Sequence, residues 1–250
     1  KLSLFENQYK GKIPLGILRT IVPAAPDAWI TALQNYGTMS FGEVAHSAIR
    51  YAREGITVHP TMANFLARYE KNYQMWPSNA DIWLKNGRPL EVGDLLVQRD
   101  LAASIQYMVD QETAAAKGGR EKGLKAARDA FYLGDIAKKI VAYHKENDGL
   151  MTEEDLASYK TPIEKPLSVK FRNTEVYSCR PWCQGPVLLQ MLNILEKMDL
   201  NAMGHNSTEY IHCLAETIKL SFADRERYYG DPDSINVPIN QLLSSEFARK

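Results

Sequence analysis

The histidines are the first residues to consider for chemistry, because imidazole both binds metals and transfers protons near neutral pH. The sequence has five of them, His46, His59, His144, His205 and His212. None belongs to an H-x-x-x-H or H-E-x-x-H pair of the kind that binds zinc. His212 is followed directly by Cys213, and neighbouring side chains on a helix point about 100° apart, so the two would not share a metal. The spacing therefore predicts no metal site.

The spacing of serine, cysteine and carboxylate residues likewise gives little support for nucleophilic or acid–base catalysis. The G-x-S-x-G turn of Ser-His-Asp hydrolases is missing, and Cys183 with His205 is only a coincidence of sequence separation. Two carboxylate clusters, residues 153–155 and 224–227, could do acid–base work. Their positions favour structural roles, since the first begins a predicted helix and the second mixes carboxylates with arginines on a long one. The motifs predict no catalytic residue in this chain.

The three cysteines, Cys179, Cys183 and Cys213, are too few for a disulfide scaffold. Their odd number leaves at least one thiol unpaired within the chain. Cys179 and Cys183 flank a turn-prone Arg-Pro-Trp run, so a local disulfide between them is one interpretation. Two buried or idle thiols are the alternative that we favour.

The composition is that of a globular protein. Of 250 residues, 45% are hydrophobic, and Lys and Arg (30) balance Asp and Glu (30). Zero net charge argues against the basic field that non-specific nucleic-acid or lipid binding needs, and favours a small-molecule or protein partner. No apolar run approaches the roughly 20 residues of a membrane span, and Lys1–Lys10 lacks a signal-peptide core. The basic stretch Lys117–Lys125 lacks phosphate-loop spacing and is predicted to be solvated surface.

Hydrophobic periodicity and terminal residues predict a mostly helical chain. Helices are expected over 24–35, 40–55, a segment after Pro60, 100–112, 126–147 with a break near Leu133-Gly134, 187–198 and 208–229. Ser40 with Glu43, and Thr152 with Asp155, have the spacing of capping boxes. We find no internal repeat and no flexible linker, so residues 1–250 are predicted to form one unit.

One turn-rich insert and one strand hairpin are expected. Asn86-Gly87 predicts a tight turn inside a turn-rich insert over 81–93. Leu167–Phe171 alternates in polarity, and so does the segment beginning at Val176, so a hairpin that turns at Asn173-Thr174 is predicted.

Four blocks along the chain carry a resemblance to a known family. The first is Tyr36-Gly37-Thr38-Met39 with Ala48-Ile49 and Ala52-Arg53-Glu54-Gly55, and the second is Gly149–Tyr159 (Gly-Leu-Met-Thr-Glu-Glu-Asp-Leu-Ala-Ser-Tyr). The third is Leu192–Glu196, and the fourth is Phe222-Ala223-Asp224-Arg225 with Gly230-Asp231-Pro232-Asp233. In this order and spacing, from about Ile21 to Lys250, the chain resembles the large-subunit half of the γ-glutamyltranspeptidase family.

The resemblance implies an N-terminal-nucleophile hydrolase of the α/β (α+β) class, a four-layer αββα sandwich of which this chain forms mostly the helical large-subunit part. Such enzymes are made as a precursor that cuts itself into a large and a small chain. The new N-terminal Thr of the small chain attacks an amide, and water or an amine resolves the acyl-enzyme. Its α-amine titrates near neutrality and so serves as the base.

The implied partners are the small catalytic subunit from the same precursor and a γ-glutamyl or related amide. No cofactor, metal, nucleic acid or membrane span is expected. The compartment stays open, with an exported protein favoured over a cytoplasmic one. The nucleophile, a neighbouring Ser pair and an oxyanion Gly pair are expected beyond Lys250. A substrate-clamping Arg is expected upstream of Lys1, so Phe171-Arg172-Asn173 is not that segment.

The family's Pro-rich Ser-Ser-Gly-Gly turn is replaced by Arg180–Pro186, which is Arg-Pro-Trp-Cys-Gln-Gly-Pro. Because these groups are bulkier, a cephalosporin-type acylase or another amide hydrolase of this fold stays open. We expect Gln184 and Gly185 to approach the substrate cleft, since sites often lie on strand-to-helix turns. The alternative is a connector that only packs on the core. A non-catalytic interaction module that keeps the fold is the second functional hypothesis.

Overall fold

The computed structural model describes residues 2–249. Contacts within the chain divide it into two compact units, Lys1–Pro162 and Ile163–Lys250. The expectation of one unit over 1–250 stays a prediction, since a division of contacts does not establish that either part folds alone.

The first unit is mainly helical. Its helices are α1 (Leu2–Tyr9), α2 (Ala25–Tyr36), α3 (Phe41–Glu54), α4 (Pro60–Arg68), α5 (Glu70–Gln74), α6 (Pro77–Trp83), α7 (Arg99–Ala115), α8 (Arg120–Tyr132), α9 (Asp135–Glu146) and α10 (Glu153–Ser158). Its two-residue strands are β1 (Ile56–Thr57), β2 (Leu84–Lys85), β3 (Arg88–Pro89) and β4 (Leu95–Leu96), paired antiparallel as β1 with β4 and β2 with β3.

The largest core of this unit lies among α2, α3, α7 and α8. Ile30, Phe41, Ile49, Met108 and Leu124 are buried together there, each on the apolar face of its helix. Burial of side chains of this size contributes about 1.5–3 kcal/mol each. The amphipathic patterns seen in the sequence therefore face one shared core.

Helix α3 begins as its sequence predicts. The Ser40 side chain accepts from the backbone of Glu43, whose carboxylate accepts from the backbone of Ser40 at 2.8 Å. Helix α10 has the same capping box between Thr152 and Asp155. Each box satisfies backbone groups that the first helical turn leaves unpaired, so both predicted helix starts are confirmed.

Three local predictions are corrected by the structure. Helix α1 precedes the first helix expected, and α6 extends to Trp83 inside the expected turn-rich insert. The stretch Lys117–Lys125 is not simply solvated surface, because α8 begins at Arg120 and Gly123 is buried against Glu112. For α8, a polar start hid a helix that contacts with α2, α7 and α9 stabilise.

Arg120 illustrates those contacts at the start of α8. Its guanidinium donates to the carbonyl oxygens of Leu33 at 2.5 Å and of Gly37 and Met39 at 3.0 Å each. These carbonyls lie at and beyond the end of α2. A single side chain therefore holds the α2–α3 link against α8.

The second unit contains a hairpin and four helices among the described residues. Strands β5 (Leu167–Phe171) and β6 (Thr174–Ser178) pair antiparallel with Val169 opposite Val176. The helices are α11 (Gly185–Leu195), α12 (Leu200–Met203), α13 (Thr208–Tyr228) and α14 (Ile239–Leu242). Helix α11 packs on both strands and on α13.

The predicted hairpin is confirmed, but its turn is one residue earlier than expected. Phe171 pairs with Thr174, so the turn residues are Arg172 and Asn173, and Arg172 has φ 54°. The β5–β6 sheet has two strands in the described chain. That it joins a larger sheet of the sandwich stays a prediction.

Candidate functional site: the turn between β6 and α11

The candidate site is the turn that leaves β6 and enters α11. Its geometry is set by two backbone hydrogen bonds, from Cys183 N–H to the carbonyl of Arg180 at 3.2 Å and from Val187 N–H to the carbonyl of Gln184 at 3.1 Å. Pro181 is buried beneath the turn, and Pro186 occupies the first turn of α11. Proline fits there because that position has no intrahelical partner for its missing N–H.

Gln184 and Gly185, the two predicted substrate-binding residues, lie side by side in this turn. Gln184 is exposed, whereas Gly185 is half-buried. A Cβ on Gly185 would lie 2.3 Å from Ser178 Oγ and 2.8 Å from Cys179 Sγ, so no larger residue fits without movement. The turn thus presents an amide side chain at the surface above a closely packed glycine. Substrate contact by either residue stays a prediction.

Trp182 is a feature of this turn that the sequence analysis did not assign. Its indole N–H donates to Glu164 Oε2 at 2.7 Å, while its side chain leaves the residue 56% exposed. Arg180 Nε lies 3.8 Å from the other oxygen of the same carboxylate. The only signal for Trp182 in the sequence was an aromatic residue within a predicted strand-to-helix turn. Glu164, eighteen residues earlier, could not be linked to it without the fold.

A polar network lies behind α11. Gln190 Nε2 donates to Asp224 Oδ2 at 2.9 Å, and the Tyr229 hydroxyl donates to Gln190 Oε1. Burial, and then the nearby Asp224 charge, raise the pKa of Tyr229 well above its usual value. Asp224 of the second carboxylate cluster therefore joins α11 to α13. The first cluster supplies the capping box of α10.

The histidines do not assemble a site. No hydrogen bond joins His205 to Cys183 in the part of the chain that the structure describes. His144 is 4% exposed, accepts from Met151 N–H at Nδ1 and lies 3.3 Å from Thr20 Oγ1 through Nε2. Burial lowers the pKa of His144. Within residues 2–249, no cluster of three or more His, Cys, Asp or Glu side chains is placed to hold a metal ion.

Among the described helices, none combines the length and the apolar character needed to cross a bilayer.

Comparison with known proteins identifies relatives along the whole chain. A family model for gamma-glutamyltranspeptidase matches residues 2–250. The glutathione hydrolase proenzyme of Escherichia coli (strain K12) is 34% identical over 229 residues, which cover 91% of this chain and 37% of that protein. The chain thus spans well under half the length of this relative.

Solved structures agree. The crystal structure of Helicobacter pylori gamma-glutamyltranspeptidase matches with a TM-score of 0.84 and 28% identity, over 97% of this chain and 67% of that one. A cephalosporin acylase from Bacillus halodurans matches with a TM-score of 0.82 and 28% identity, over 100% of this chain and 45% of that one. The predicted fold, the helical large-subunit part of an N-terminal-nucleophile hydrolase, is confirmed. Because the family model covers the chain from residue 2 to residue 250, the chain belongs to the gamma-glutamyltranspeptidase family.

Proposed function

We propose that this chain is the large-subunit part of an enzyme that cleaves a γ-glutamyl or related amide. The observation that carries the proposal is the continuous family match over residues 2–250, together with the fold likeness to a gamma-glutamyltranspeptidase. In this proposal the chain supplies the scaffold and part of the cleft wall. The nucleophile is the N-terminal Thr of a small subunit made from the same precursor.

The proposed reaction needs no histidine or metal. The Thr hydroxyl attacks the amide carbon while the α-amine of the same residue takes its proton, and the leaving amine departs protonated. The resulting ester is then attacked by water, which gives hydrolysis, or by an acceptor amine, which gives transfer. This fits a chain in which His144, Asp155 and Asp224 have structural partners.

The first experiment is to produce the complete precursor and sequence the N-termini of its products. We expect a second polypeptide that begins with Thr, and release of amine from a γ-glutamyl anilide only after cleavage. Full activity from a homogeneous preparation of this chain alone would contradict the proposal. A precursor that stays whole and inactive would instead support the non-catalytic interaction module.

Gln184 and Gly185 are proposed to contact the substrate. Support comes from the exposed amide of Gln184, which can both donate and accept, and from its place at the start of an eleven-residue helix whose N-terminal end favours negative groups. Replacement Gln184→Ala should lower kcat/KM about tenfold, the cost of one lost hydrogen bond. Gln241→Ala, at an exposed glutamine of α14, is the control. Equal kinetics in both variants would leave the turn as a connector.

A second candidate is an acylase of the same fold that prefers a different acyl group. It is favoured by the likeness to the Bacillus halodurans cephalosporin acylase and by the exposed Trp182 in the turn, which offers an apolar surface. Comparing kcat/KM for a γ-glutamyl amide and for the same amide without its α-amino group separates the two. A higher value for the second substrate would select the acylase.

A further inference from the structure

The two cysteines of the candidate site lie against each other. Cys179, the first residue after β6, and Cys183, near the start of α11, have sulfur atoms 2.6 Å apart. A disulfide bond is about 2.05 Å long, so joining the two sulfurs requires a shift of only about 0.6 Å. Cys213, the third cysteine, lies on α13. Among the described residues, no hydrogen bond joins it to Cys179 or to Cys183.

The surroundings hold this pair in place. The Gly185 N–H donates to Cys183 Sγ at 3.3 Å, and Gly185 has no Cβ, which would lie 2.8 Å from Cys179 Sγ. The Cys183 N–H bonded to the Arg180 carbonyl closes the turn that brings the two sulfurs together. The conformation of this turn therefore explains both why the two sulfurs are close and why the residue beside them is glycine.

The two thiols differ in access and in acidity. Cys179 is exposed and Cys183 is half-buried. The hydrogen bond from Cys183 lowers the pKa of Cys179, whereas burial, and then the contact with Cys179, raise the pKa of Cys183. An accessible thiol with a lowered pKa beside a less accessible one is the arrangement of an attacking and a resolving cysteine.

We propose that Cys179 and Cys183 form a thiol–disulfide exchange site whose substrates are small-molecule disulfides. The Cys179 thiolate attacks one sulfur of the disulfide RS–SR, which forms a Cys179–SR bond and releases RS⁻. Cys183 then loses its proton and attacks the Cys179 sulfur, which forms the Cys179–Cys183 bond and releases the second RS⁻. Two electrons pass from the protein to the small molecule, and the two thiol protons complete two RSH. This exchange involves no step of the proposed amide chemistry, although the pair lies in the same turn as Gln184 and Gly185.

The test uses the whole protein and the dithiothreitol couple, which contains no amide and therefore cannot be consumed by the proposed function. After equilibration, the protein is acid-quenched, alkylated and digested with trypsin. Both cysteines fall in one peptide, residues 173–197, because Arg180 precedes a proline, while Cys213 falls in residues 198–219. We expect oxidation to convert peptide 173–197 to an unalkylated form about 2 Da lighter than its dithiol, and to leave Cys213 alkylated.

Variants assign the two roles. The variants are made in a Cys213→Ser background, so that the pair supplies the only thiols. With 2,2′-dithiodipyridine, Cys183→Ser in this background should release one thiopyridone and keep one adduct on Cys179. Cys179→Ser in the same background should react about tenfold more slowly, because its one thiol, Cys183, is less accessible and less acidic. Cys213→Ser is the matched control and should behave as the wild type at the pair. Full alkylation of peptide 173–197 under oxidising conditions, or a bond from either cysteine to Cys213 or to another molecule, would overturn the proposal.

Discussion

His144 shows how a single residue can make the first unit sensitive to pH. Met151 N–H donates to Nδ1, so Nε2 carries the proton of the neutral ring and points toward Thr20 Oγ1, whose own hydroxyl donates to the Ile17 carbonyl. Every polar atom of the neutral ring is therefore satisfied. A second proton on Nδ1 would face the Met151 N–H, with burial adding to the cost.

This arrangement predicts that acid destabilises the protein. The pKa of His144 is lowered in the folded state, so below about pH 6.5 the unfolded chain binds a proton that the folded chain does not, and the free energy of unfolding falls as pH falls. Urea unfolding between about pH 7 and pH 5 should show this slope, and His144→Gln should reduce it. His46→Gln, at an exposed histidine of α3, is the matched control. An identical slope in both variants would contradict the prediction.

Sequence reasoning placed His144 near the end of a helix but could not give its protonation state. Thr20 and Met151 lie 124 and 7 residues away from it, and only the fold brings both to the ring. The same limit applied to Cys179 and Cys183. Their separation allowed a local bridge, whereas the contact between the sulfurs depends on how the turn closes.

Helix α3 depends on a carboxylate from another helix. Glu112 of α7 is buried and accepts from the Phe41 N–H at 2.8 Å and the Gly42 N–H at 2.7 Å. These are first-turn N–H groups with no intrahelical acceptor. The Ser40 box was visible in the sequence because its members are three residues apart. The Glu112 contact, across 70 residues, was not.

Replacing Glu112 with Gln should therefore destabilise α3. The amide keeps one acceptor oxygen but turns an NH₂ group toward the other N–H, which should lower the free energy of unfolding by about 1–3 kcal/mol. The measurement is urea unfolding followed by far-UV circular dichroism. Asp110→Asn, an exposed position on the same helix with the same change of charge, should cost under about 0.5 kcal/mol. Equal losses in the two variants would remove the special role of Glu112.

At the scale of the whole molecule, the first unit is tied together by a buried ion pair. The Asp27 side chain of α2 is 3% exposed, Arg128 of α8 is 17% exposed, and their charged groups are in contact. Asp27 also accepts from the Thr161 N–H at 2.6 Å. Burial raises the pKa of Asp27, but the hydrogen bonds from Thr161 and Arg128 outweigh it, and the net pKa is lowered.

Asp27→Asn should destabilise the protein more than Lys138→Gln, which breaks an exposed ion pair. Asp27→Asn removes the carboxylate that contacts the Arg128 guanidinium, which keeps the Tyr159 carbonyl and the more distant Asp129 carboxylate at 3.8 Å. The free energy of unfolding should fall by about 3–5 kcal/mol. In the wild type, the stabilisation is present above about pH 3.8 and is lost as pH falls below it, because the lowered pKa belongs to the folded state.

The control is Lys138→Gln, which removes a pair whose members are 68% and 65% exposed. Its expected cost is under about 1 kcal/mol. Urea unfolding of both variants tests the contrast. Equal losses in the two variants would contradict the prediction.

The family could be predicted from the order of short blocks, while the chemistry of individual residues could not. Blocks such as Phe222–Arg225 and Gly230–Asp233 preserve local spacing, and local spacing is what a sequence displays directly. Gln184 and Gly185 were chosen only because they lie in a strand-to-helix turn. What they contact depends on groups far away in the chain, and the proposed nucleophile lies in another polypeptide.

Arg120 has a practical consequence for mutational scans of this protein. Its planar fork reaches three carbonyl oxygens at once, and a lysine offers a single ammonium that cannot span them. A substitution matrix scores Arg120→Lys as a mild exchange. The geometry instead predicts a cost like that of losing a helix-capping residue, because backbone carbonyls would lose their donor. Which substitutions position 120 tolerates is therefore better predicted from the number of carbonyl oxygens that the side chain must reach than from its charge.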